Sequence, residues 1–130
     1  MFYGTTFEVL TSHFIIPACL NNIANGRRYD QLEKMELSKY LRIHKANRGN
    51  PFQSNDKLSF LLEGIDPQIR NASHHADIKL LKGRDIVEYK AGNKSETKTM
   101  SYAEYIWLCN RLIVSLFVSL ALEIRLRNYA

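Results

Sequence analysis

Two cysteines, three prolines, six glycines and one tryptophan are few for 130 residues, and each scarcity removes a class of protein. Cys19 and Cys109 lie far apart without paired metal-ligand spacing, which argues against a disulfide-stapled fold and a cysteine-built zinc site. Two reduced, partly buried thiols in a cytoplasmic protein are expected. No internal repeat or low-complexity tract divides the chain, so it reads as one domain spanning residues 1–130. The first residues lack a basic stretch followed by an apolar core and a small-residue cleavage site, so no signal peptide is expected. Its start at Met1-Phe2-Tyr3, almost directly in helix, is compatible with a domain of a larger protein. The longest apolar run, Leu112 to Leu122, is broken by two serines and flanked by Arg111 and Glu123. It falls short of the roughly 20 residues needed to cross a bilayer, so a buried helix is expected and no membrane partner.

What is present is an ordinary globular composition with a basic excess. Hydrophobic residues at 45% and charged residues at 24% give enough apolar surface for a core and argue against disorder. Lysine and arginine outnumber aspartate and glutamate by 18 to 13, and the net charge of +5 favours a polyanionic partner.

Phe7, Leu10 and Phe14, then Ile16, Leu20 and Ile23, recur at helical spacing, with Pro17 either kinking one helix or starting a second, and with Gly26 as a stop. His13 reads as a satisfied or partly exposed histidine. Arg27-Arg28-Tyr29 is a basic and aromatic turn, open to RNA contact or simply solvated. Asp30 and Glu33 resemble a capping box for a helix carrying Leu37, Tyr40, Leu41 and His44. Lys45 and Arg48 at its exit, with Arg27 and Arg28, are the candidate RNA-binding residues; the wet side of an amphipathic helix is the bland alternative. Asn47 to Asn55 reads as loop, and Leu58, Leu61, Leu62 and Ile65 predict another helix that Gly64 stops.

Asp66-Pro67 starts a short helix holding Arg70-Asn71-Ala72-Ser73-His74-His75. Ile78–Leu81 and Ile86–Tyr89 then form a small β-hairpin, followed by a polar stretch over Ala91–Ser95 and a potential third short strand at Thr97–Met100. Ser101 and Glu104 cap a long apolar C-terminal helix, expected in the core of a bundle, in a dimer interface, or in both. The fold class predicted is all-α: a bundle of about four or five helices with a hairpin insert before the last.

Arginine offers a permanent planar fork for phosphate oxygens, and histidine exchanges protons near neutrality. Arg70, Asn71 and, after four intervening residues, His75 resemble the signature of the HEPN superfamily, the higher-eukaryote and prokaryote nucleotide-binding domains. The hairpin insert and the Ser-Tyr-Ala-Glu start of the last helix add to the likeness, which covers the second half of the chain. The resemblance implies a homodimer with a composite cleft and metal-independent cleavage of RNA by its own 2′-hydroxyl. In it Arg70 stabilises phosphorane charge, Asn71 orients, and His75 is acid or base. Helical geometry instead nominates His74, which shares a face with Arg70, whereas His75 points roughly 140° away. The family pattern is followed for His75 as the working histidine, with His74 kept as the rival.

The resemblance implies no cofactor and no metal. It suggests a toxin–antitoxin or antiviral-defence effector, with an antitoxin or a fused sensor domain as partner. Three alternatives remain: an inactive HEPN dimerisation or RNA/nucleotide-binding module, a metal-dependent phosphoesterase using His74, His75 and Asp77, and an Arg70 that only pairs with an acid while the histidines finish a helix.

Overall fold

The computed structural model describes residues 2–93 and 96–129; Lys94 and Ser95, in the polar stretch between the expected strands, and Met1 lie outside the described residues. Helix α1 (Phe2–Ser12) buries Tyr3, Phe7 and Leu10 completely on one stripe. Two residues later α2 (Ile15–Ala24) begins, with Pro17 in its first turn, where a missing N–H costs nothing. Gly26 at φ 72° ends it, and the Arg27 N–H donates to the Asn22 carbonyl.

The two helices expected between residues 30 and 65 are largely absent. Only α3 (Leu37–Tyr40) is α-helical there, and single 3-10 turns occupy Lys45–Asn47, Asn50–Phe52 and Ser59–Leu62. Local hydrogen bonding explains this. The Leu32 N–H donates to the Met35 carbonyl and Gln31 bridges Glu36, so the proposed capping box at Asp30 is spent on a turn. The Tyr40 hydroxyl donates to the Arg48 carbonyl at 2.8 Å and closes the next turn. Leu58 and Leu61, three apart, suit the tighter 3-10 period as well as the α period, and Leu61 is buried without an α-helix. Gly64 is a point of close approach: a Cβ there would stand 2.8 Å from the Leu112 backbone nitrogen.

Helix α4 (Pro67–His74) starts as expected, the Asp66 carboxylate accepting the N–H groups of Gln68 and Ile69. It ends with Ala76 in the left-handed region at φ 55° and the Asp77 N–H donating to the Ala72 carbonyl. Three antiparallel strands follow in the order β1 (Ile78–Leu81), β2 (Ile86–Ala91), β3 (Glu96–Ser101). Leu81 pairs with Ile86 and Tyr89 with Lys98, which fixes the register of the sheet.

The sheet overturns the all-α expectation: the fold is mixed α and β, with a helical core and a three-stranded layer against it. The physical reason lies in β2, where Val87, Tyr89 and Ala91 alternate inward, and Tyr89 and Ala91 join the same apolar cluster as Phe7 and Ile69. A mere surface insert would not be buried on one face.

Helix α5 (Tyr102–Asn128) is capped by Ser101, whose hydroxyl accepts the Glu104 N–H at 3.0 Å. Expected to be buried on several sides, it buries only one: Cys109, Leu112, Ser115 and Ser119 face inward, while Trp107, Val114, Phe117 and Ile124 are exposed. Counted over the whole helix and not the Leu112–Leu122 run alone, it is long and apolar enough to cross a membrane by length and composition.

Candidate active site

The motif helix is placed by α1. The Tyr3 hydroxyl accepts the Asp66 N–H at 2.8 Å and donates to the Gly64 carbonyl, which fixes the turn into α4. One residue on, the Gly4 N–H donates to the Ser73 hydroxyl at 3.0 Å. A Cβ at Gly4 would sit 3.1 Å from the His74 Nε2, so the two helices touch where the histidine lies. Burial pushes the Tyr3 hydroxyl pKa up, and the hydroxyl stays neutral, able both to donate and to accept.

Glu8, one turn further along α1, gathers the cations. Arg70 donates to Glu8 Oε1 through Nε at 2.7 Å and also through Nη2, and Lys45 Nζ lies 2.8 Å from Oε2. His74 Nε2 is 3.7 Å from the same carboxylate. The Arg70 guanidinium also stands 6.0 Å from the centroid of the buried Phe7 ring. Burial alone disfavours the Glu8 carboxylate, but hydrogen bonds from Lys45 and Arg70 outweigh it and hold its pKa below the ordinary 4.5. Two cations and a histidine thus share one anion at a half-open surface, an arrangement with positive charge to spare for a phosphate.

Asn71 joins this cluster to a second face, because Arg70 Nη1 donates to its Oδ1 at 2.7 Å. Asn71 also lines a depression of about 420 Å³ beside His75, Gln68, Asp77 and Lys90. His75 is the C-cap of α4 and exposed, so Arg70 and His74 share the Glu8 side while His75 opens on the other.

The other predicted contacts scatter. Lys45 joins the cluster, but Arg48 donates to the Leu41 carbonyl and Arg28 pairs with Asp30. Arg27 lines a separate cavity of about 640 Å³, rich in asparagine. His13, as read from sequence, is satisfied: its Nδ1 lies 2.8 Å from Glu123 Oε2. Among the described residues no group of three or more His, Cys, Asp or Glu side chains is arranged to hold a metal ion.

Glu8 is the residue sequence reasoning missed. A signal was there: Glu8 is the single charged side chain in the first 26 residues, and it adjoins the apolar stripe through Phe7. A lone carboxylate at the edge of a buried face needs a cationic partner from elsewhere in the fold. Comparison of the chain with protein-family models, curated proteins and solved structures gives no match.

Proposed function

We propose that this chain is a metal-independent endoribonuclease of the HEPN type, acting in the cytoplasm as the toxin or effector of a prokaryotic defence or toxin–antitoxin system, and as a homodimer with a composite site. The observation that carries the reading is the convergence of Arg70, Lys45 and His74 on Glu8, with Asn71 and His75 at its margin.

In the reaction, a histidine takes the proton of the ribose 2′-hydroxyl, whose oxygen bonds to phosphorus as the bond to the 5′-oxygen breaks. A second histidine returns a proton to that leaving oxygen, and the products carry a 2′,3′-cyclic phosphate and a 5′-hydroxyl. Arg70 and Lys45 face the charge that grows on the phosphorane oxygens. Glu8 holds both cations until a phosphate oxygen competes for them, and His74, with Nε2 3.7 Å from Glu8 Oε1 on the arginine's side, is placed to act as the acid. His75, on the Asn71 side, then serves as base, from the same chain or from a second copy.

One observation favours a different reading. Arg70 spends Nε and Nη2 on Glu8 and Nη1 on Asn71, which suits an arginine that only braces α1 against α4 in an inactive dimerisation or RNA-binding module. The two readings part on chemistry. Purified chain, incubated in excess chelator with an RNA oligonucleotide and its 2′-deoxy analogue, is expected to cut only the RNA and to leave cyclic-phosphate ends. Cutting of both, or cutting that chelation abolishes, contradicts the 2′-hydroxyl mechanism, and folded protein that cuts neither supports the inactive module.

A further inference from the structure

The outward face of α5 carries a pattern separate from the stripe that faces the core. Trp107, Asn110, Val114, Phe117, Ala121 and Ile124 follow one another at steps of three, four, three, four and three, and all six are exposed. The residues α5 buries against its own domain lie on the opposite side, around Leu112 and Ser115. Apolar side chains that alternate three and four apart make the seam by which one helix packs knobs into holes on another. Phe117, at 68% exposure, and Ile124, at 61%, have no such holes among the described residues.

We propose that this seam pairs with the same seam of a second copy, the two α5 helices running antiparallel about a two-fold axis between Val114 and Phe117. The occupant and its direction follow from the sequence of the seam. Antiparallel pairing sets Val114 against the partner's Phe117, Trp107 against the partner's Ile124 and Asn110 against the partner's Ala121, so a larger side chain meets a smaller one in each layer. It also sets Glu104, beside the seam at one end, against the partner's Arg125 at the other, twice by symmetry. Neither Glu104 nor Arg125 has an ion-pair partner among the described residues. Parallel pairing would stack Trp107 on Trp107 and Phe117 on Phe117, and would crowd Arg125 and Arg127 of both chains at one end. Antiparallel helix dipoles add to the preference.

A lipid bilayer is the competing occupant of so apolar a helix. Asn110 within the seam and the charges at its borders suit a helix partner, which can fix a register with them, and do not suit hydrocarbon. The pairing makes no use of the ribonuclease reading; a dimer that cuts no RNA leaves it intact.

Sedimentation velocity of the full chain at micromolar concentration tests it, with circular dichroism as the check on folding. Wild type is expected to sediment as twice 15.1 kDa, and Phe117→Asp as a folded monomer. Glu104→Arg and Arg125→Glu are each expected to weaken the dimer about tenfold, since each replaces two attractions by two repulsions. An equimolar mixture of these two variants should recover wild-type affinity, because each then offers the other opposite charges at both ends. A monomeric wild type overturns the proposal, as does a mixture no tighter than its components. Wild type that stays monomeric and partitions onto phosphatidylcholine vesicles overturns it in favour of the membrane.

Discussion

Glu8 puts two cations and a histidine on one carboxylate, so its loss reaches every part of the cluster. Because its folded-state pKa lies below the ordinary 4.5, the cluster contributes stability that is fully present above that pH and is lost as pH falls through the folded-state value. Urea titrations of wild type and Glu8→Gln are therefore expected to differ most near neutrality and to converge as the pH falls below the folded-state pKa of Glu8. A difference that stays constant with pH would mean that Glu8 acts by packing alone. The same residue marks the limit of reading the site from sequence. Arg70, Asn71, His74 and His75 stand together in the chain and are legible as a motif, but Glu8 and Lys45 come from distant turns. Which histidine shares the arginine's side followed from helical geometry, since His74 is four residues on and α4 runs on through it.

At the level of elements, the helices legible in sequence are those with a clear apolar stripe or a side-chain cap: α1, α2, α4 and α5. The segment from Asp30 to Ile65 misled because its leucines repeat at three and four, which 3-10 turns and α-helix both satisfy. Its conformation is set by contacts with α2 and α5. Asn55 donates to the Asn21 side chain at 2.9 Å, and Gly64 lets the chain lie against the α5 backbone. Gly64→Ala is expected to lower stability by about 1–3 kcal/mol, because the new methyl meets backbone, which cannot rotate aside. Thermal unfolding measures it. An unchanged midpoint would show that α5 can shift away from the turn. A loss of RNA cleavage at temperatures where the variant is folded would connect the turn, through Tyr3 and Asp66, to the placement of α4.

For the whole molecule, the error in fold class has a definite origin. The hairpin and its third strand were visible in the alternation of Ile78–Met100, but period-two spacing does not say whether a sheet stands apart from the helices or packs on them. Tyr89 and Ala91 settle that by lying in the shared core, and the sheet thereby carries Lys90 to the His75 side of the motif, beside Asp77. Charge, too, was legible only as a total: of the four predicted RNA contacts only Lys45 joins Arg70. The most direct test of the central claim is cleavage of a mixed RNA pool in excess chelator by wild type, Arg70→Ala, His74→Ala and His75→Ala, each first shown to be folded. Cleavage by wild type is expected to fall by about two orders of magnitude or more in all three variants, with Arg70→Ala the most affected. Undiminished cleavage by folded Arg70→Ala would contradict the account outright.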